Sequence, residues 1–125
     1  SQLESLYLDH TQISEAGLAN LAALAQLDAL RLDHTQVNDA GLQHLSRLPR
    51  LRYLSLQGTR ITGGGLRHLN GSSTLRYLLL PEDMPHPEEL QRLHQAIPEC
   101  WIYLGGRFWL TQSQSSLREE GDMRN

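Results

Sequence analysis

An α/β solenoid, built from stacked strand-plus-helix units, is the fold this chain predicts, and three observations predict it. Leucine recurs on a 24-residue period: Leu3, Leu27, Leu51 and Leu75 each open the same phrase, L-x-x-L-x-L. Inside each unit the apolar spacing changes from two residues to three, as it must where a strand gives way to a tight helical turn. The polar residues between those two stretches recur at the same offsets. Repeats of this length cannot bury an apolar face alone and do so by stacking on their neighbours. The period gives about four and a half units, starting at 3, 27, 51 and 75 and ending in a terminal strand at 99–104.

In the first unit Leu6 and Leu8 share one face of a strand. Ser14 is a helix N-cap, with Glu15 beside the positive helix end, and Leu18, Leu21 and Leu24 form the inward stripe. The second unit repeats this with Leu30 and Leu32, the cap Asn38, Asp39, and then Leu42, Leu45 and Leu48. The third has Leu54 and Leu56, Thr62 at the cap position, and Leu66 and Leu69. Its helix would open on Gly63, Gly64 and Gly65, whose entropic cost makes this the loosest expected turn. The fourth keeps Leu78 and Leu80 but replaces the polar turn with the proline-rich stretch 81–87. Pro87 suits a first helical position, Glu88 and Glu89 follow, and Leu90, Leu93 and Ile97 face inward up to Pro98. A degenerate fifth phrase has Glu99 in the first slot, then Ile102 and Leu104. Thr11, Thr35 and Thr59 form a column whose hydroxyls can bond the backbone of the loop after each strand.

Two regions result: a repeat array over 1–110, with 105–110 a candidate cap carrying Phe108, Trp109 and Leu110, and a polar, aperiodic tail over 111–125 that reads as disordered. The array begins inside a repeat, so the chain is expected to be the C-terminal part of a longer solenoid. No stretch approaches the roughly 18 apolar residues of a membrane span. No membrane insertion is therefore expected in this segment. A single cysteine, Cys100, can form no internal disulfide and favours a reducing, cytoplasmic setting.

Charge is banded. Residues 1–39 carry six acids against Arg31, residues 40–81 carry six arginines and no acid, and residues 82–125 return to eight acids against four arginines. The total is −3, and lysine is absent. A net acidic chain with arginines on several faces argues against nucleic-acid binding.

Residues 3–21 and 27–45 follow L-x-x-L-x-L-x-x-T-x-[IV]-x-[ED]-A-G-L-x-x-L. This resembles leucine-rich repeats of the T-x-[IV]-T-D-x-G-L variety, common in tandem repeat proteins of bacteria such as planctomycetes. It is also similar to the cysteine-containing and ribonuclease-inhibitor-like classes. The match runs well over residues 3–80 and in degraded form to Leu104. The resemblance implies a right-handed α/β superhelix with parallel strands on a concave face and short helices on a convex one. It also implies a trade in holding other proteins rather than in catalysis.

On such a fold, equivalent strand positions line up as columns about 4.8 Å apart. One column reads Ser5, Ala29, Tyr53, Tyr77, Trp101; the next Tyr7, Arg31, Ser55, Leu79, Tyr103; a third, at the strand ends, Asp9, Asp33, Gln57, Pro81, Gly105. Tyr53, Tyr77, Trp101, Leu79 and Tyr103 would make a solvent-facing aromatic patch on the C-terminal half of the concave face. Tyr, Trp and Arg are the side chains that dominate interface energetics. Arg52 and Arg76 stand at equivalent positions one strand apart, a repulsive pair unless solvated or met by an anion. The expected partner-binding set is thus Tyr7, Arg31, Arg52, Tyr53, Arg76, Tyr77, Leu79, Trp101 and Tyr103, and the expected partner is another protein bearing an acidic, partly apolar segment.

A competing reading starts from the verbatim repeat Asp9-His10-Thr11-Gln12 and Asp33-His34-Thr35-Gln36. Two Asp and two His within one strand spacing have the ligand types for a divalent ion, in a metal-dependent binder or enzyme. Against it, each His neighbours its Asp in sequence and should point elsewhere, and Arg31 lies close enough to neutralise the acids. No nucleophile–base set, phosphate-cradling loop or Cys–His metal spacing is present. The leading expectation is a non-catalytic module with no cofactor. His44 and His68 are expected as exposed helix residues on the convex side.

Overall fold

The computed structural model describes residues 4–82, 87–104 and 107–110. Its strands are short: β1 Ser5–Tyr7, β2 Ala29–Arg31, β3 Tyr53–Ser55, β4 Tyr77–Leu80, β5 Trp101–Leu104 and β6 Arg107–Leu110. They form one sheet in sequence order, parallel from β1 to β5. The register keeps the repeat period: Ser5 pairs with Ala29, Ala29 with Tyr53, Tyr53 with Tyr77 and Tyr77 with Trp101. The middle positions Leu6, Leu30, Leu54, Leu78 and Ile102 pair likewise. A one-residue slip would turn every one of these leucines to the other face, so the hydrophobic pattern itself pins the register. β6 runs antiparallel along β5 and pairs with the edge that β5 would otherwise leave open. The tail 111–125 lies outside the described residues.

Between strands the chain returns through α1 Glu15–Leu21, α2 Asp39–Leu45, a 3₁₀ helix η1 Gly63–Leu69, and α3 Pro87–Ala96. Ser14 and Asn38 cap the first two helices, accepting the N–H of Gly17 at 3.2 Å and of Gly41 at 3.3 Å. Thr62 does not cap η1. Its hydroxyl donates to Asp39 Oδ2 at 2.6 Å and its N–H to Asp39 Oδ1 at 2.8 Å, so it ties unit three to unit two. Three weak helix formers and no cap leave η1 as the tighter, less well bonded 3₁₀ form. α3 is the longest helix of the array, starting at Pro87 with Glu88 and Glu89 in its first turn.

The core is a leucine spine. Leu27, Leu30, Leu32, Leu42, Leu54, Leu56, Leu78, Leu80, Leu93 and Ile102 are wholly inaccessible to solvent, and Leu18, Leu45, Leu66, Leu69, Leu75 and Leu90 nearly so. Leu24 and Leu48, expected on the helices, lie one turn beyond them and still pack on this spine. Each fully buried leucine is worth about 2 kcal/mol of transfer free energy. Close stacking explains the recurring glycine before the first leucine of α1, α2 and η1. A Cβ on Gly41 would sit 2.5 Å from Leu18 Cδ1, and one on Gly65 2.1 Å from Asp39 Oδ1. The threonine column closes each loop: Thr11, Thr35 and Thr59 donate to the carbonyls of Leu8, Leu32 and Leu56 at 2.6–2.7 Å.

Three expectations are corrected. Ser55 belongs to a column expected to face solvent, but it is fully buried, because Asp33 folds over it and accepts its hydroxyl at 2.6 Å. His44 is half-buried rather than exposed, with Nε2 3.5 Å from Glu15 Oε2 of the preceding unit. His68 is half-buried as well. Adjacent helices pack closely enough that flanking side chains are partly covered by a neighbouring unit.

Candidate functional site on the concave face

The strand ends position the polar residues first. Asp9 Oδ1 accepts the N–H of Asp33 at 3.1 Å, and Asp33 Oδ1 accepts the N–H of Gln57 at 2.9 Å. The repeated aspartates thus extend the hydrogen-bond ladder past the end of each strand. Pro81 has no N–H to continue it. His10, His34 and Gly58 follow, all with positive φ of 61°, 58° and 71°. The imidazoles of His10 and His34 stack, with centroids 4.8 Å apart and planes 11° from parallel. His34 in turn lies over Gly58, where a Cβ would come within 2.3 Å of its Nδ1. The Asp-His repeat is therefore occupied in holding consecutive turns together. Its carboxylates are spent on backbone N–H groups, Ser55 and Arg31, and its rings on each other.

Arg31 links this rim to the concave surface. Its guanidinium donates to Asp9 Oδ2, approaches Asp33 Oδ2 at 3.9 Å and lies 5.1 Å over the ring of Tyr7. Partial burial opposes ionisation of Asp9, but the hydrogen bonds from Arg31 and from the Asp33 N–H, with the Arg31 charge, hold it below the ordinary carboxylate value. The same hydrogen bond raises the guanidinium pKa of Arg31.

Beneath Arg31 the first column opens into a hollow of about 380 Å³, lined by Tyr7, Asp28, Ala29, Arg31, Arg52, Tyr53 and Tyr77. Its floor is Ala29, the one small residue between Tyr53 on the next strand and the large side chains around it. Tyr7 and Tyr77 are 61% and 43% exposed, the large hydrophobic side chains left most open to solvent among the described residues. Of the nine residues expected from sequence, Tyr7, Arg31, Arg52, Tyr53 and Tyr77 converge here. Leu79, Trp101 and Tyr103 are half-buried further along the sheet and do not line the hollow.

Arg76 turns to a second hollow at the foot of the strands, about 290 Å³, lined by Pro49, Arg50, Arg52, Ser73, Thr74 and Arg76. Arg52 lines both hollows and joins them. Arg50, Asp28 and Ser73 lie outside the set expected from sequence, although the 24-residue alignment places Glu4, Asp28, Arg52 and Arg76 in one column, acid then base. That column was the available signal.

Residues 1–61 match the family described as leucine rich repeat. Among solved structures the chain is similar to a protein in the structure of Chaetomium Mex67:Mtr2 subunits, at 19% identity and a TM-score of 0.66, with 93% of this chain and 88% of that chain covered. No curated protein matches it in sequence. Among the described residues no helix is long and apolar enough to cross a membrane.

Proposed function

From the premise that the chain is a leucine-rich repeat solenoid, we propose that it is a non-catalytic protein-interaction module that uses its concave face. The observation that carries this reading is the hollow around Ala29, where exposed Tyr7 and Tyr77 and the half-buried Tyr53 flank Arg31 and Arg52. Aromatic rings on short, rigid strands offer large contact area with little rotamer entropy to lose. Arg31 is already oriented by Asp9 and Tyr7, so little ordering remains to oppose association there. Leu79, Trp101 and Tyr103 extend the surface toward β5 and Arg76 supplies a further charge. The partner is a protein segment that is partly apolar and acidic.

A photo-crosslinking side chain at position 77 should capture a partner that the same group at Gln91, exposed on α3, does not. Replacing Tyr53 and Tyr77 together with Ala should abolish recovery of that partner, each hot-spot ring contributing about 2 kcal/mol. Unchanged recovery would remove the concave face from consideration. The metal-dependent alternative lacks comparable support, since Asp9 and Asp33 already hold the turns together.

A further inference from the structure

We propose that the hollow at the foot of the strands binds a phosphomonoester, carried by a phosphorylated side chain of the partner segment. Three arginines, Arg50, Arg52 and Arg76, line it, and no acidic residue does. Arg52 and Arg76 stand immediately before β3 and β4 at equivalent repeat positions, with the Arg76 N–H donating to the Arg52 carbonyl at 2.8 Å. Like charges fixed opposite one another in a sheet repel, and an anion between them removes that penalty.

Two of the three cations are fastened. Arg50 Nη1 donates to Gln26 Oε1 at 2.6 Å, and Arg76 Nη1 donates to the carbonyls of Leu75 at 3.1 Å and Ser73 at 3.3 Å. In each case the remaining N–H groups of the fork stay available. Arg52 makes no hydrogen bond or ion pair through its side chain among the described residues. It is exposed, although Asp28 shares a hollow with it. The arrangement is thus two oriented forks and one free to close.

Chemistry selects the ligand. A carboxylate has one charge and two oxygens, which a single guanidinium fork satisfies. A phosphomonoester carries nearly two charges on three peripheral oxygens and can engage several forks at once. Because Arg52 also borders the aromatic hollow, a phosphorylated residue seated here would place its neighbours against Tyr53 and Tyr77. The inference rests on the interaction reading above and gives its acidic partner a chemical identity.

The test uses the full chain and follows the arginine side-chain Nε–H signals by NMR during titration with N-acetyl-O-phosphoserine amide, its unphosphorylated form, the glutamate analogue and inorganic phosphate. Phosphoserine should shift Arg52 and Arg76 saturably, with a dissociation constant on the order of 1 mM, and bind at least about tenfold more tightly than glutamate. Arg52→Gln should weaken it about tenfold, while Arg92→Gln, on α3 and paired with Glu89, should leave it unchanged. Equal binding of glutamate, an equal response to Arg92→Gln, or no saturable shift would overturn the site. Inorganic phosphate binding as tightly as phosphoserine would overturn its assignment to a partner side chain. Partner capture that survives Arg52→Gln with Arg76→Gln but is lost in the tyrosine variants would sink the phosphate inference alone. Phosphoserine binding that persists while the tyrosine variants capture normally would sink the concave-face reading alone.

Discussion

His10, His34 and Gly58 share one backbone requirement and meet it differently. A left-handed φ suits glycine and strains most other residues by about 1 kcal/mol. Two histidines accept that strain in return for a stacked pair that links three turns. Gly58→Ala should therefore destabilise the chain by about 1–2 kcal/mol in urea unfolding. Part of that loss should return in a His34→Ala background, because the clash is with His34 Nδ1. Asp9 makes a pH prediction. Its folded pKa is depressed below 3.8, so its contribution is present above that value and fades as pH falls through it toward the native value. Between neutral pH and about 3, the unfolding midpoint of Asp9→Asn should fall less than that of the parent chain. Cys100 behaves in the opposite sense. Burial pushes its thiol up to about 12 despite the nearby Arg76, so it stays protonated in the fold and ionises from 9.0 upward only when unfolded. Alkylation at mildly alkaline pH should be slow in the native chain and fast in denaturant, and stability should decline as pH rises above 9.0.

η1 shows how one element departs from its equivalents. Ser14 and Asn38 keep their capping bonds, but Thr62 is drawn to Asp39 and the glycine run follows as a 3₁₀ helix. The glycines are not equivalent. A Cβ on Gly64 would meet only Thr62 Oγ1 at 3.7 Å, whereas one on Gly65 would collide with Asp39. Gly64→Ala should stabilise by about 0.5–1 kcal/mol, and Gly65→Ala should destabilise by at least about 1 kcal/mol, both measured by denaturant midpoint. The strands were more legible than the helices. L-x-x-L-x-L names the buried face directly because strand period and repeat period agree. The caps were legible at Ser14 and Asn38, and failed at Thr62 because Asp39, a residue of the preceding unit, competes for its hydroxyl. Nothing within unit three announces that competition.

At the scale of the whole molecule, the leucine spine and the proposed recognition surface lie on opposite faces of the same sheet. Leu54 lies at the centre of the spine with no solvent exposure, so Leu54→Ala should cost about 3 kcal/mol and should appear as a fall in the midpoint of one cooperative transition. A surface change such as Tyr77→Ala should leave that midpoint nearly unmoved while it weakens partner capture. The sequence by itself determined the solenoid, the parallel register and the leucine core, because stacking identical units leaves only one alignment that buries every leucine. It also placed tyrosines and arginines in shared columns. Only the tertiary structure decided which columns open to solvent. Ser55 disappears beneath Asp33, Ala29 leaves a floor for the aromatic hollow, and Arg50 joins Arg52 and Arg76 around a second hollow. Periodicity places backbones, but depth and exposure depend on how far each side chain reaches over the next unit and on the size of what it meets there.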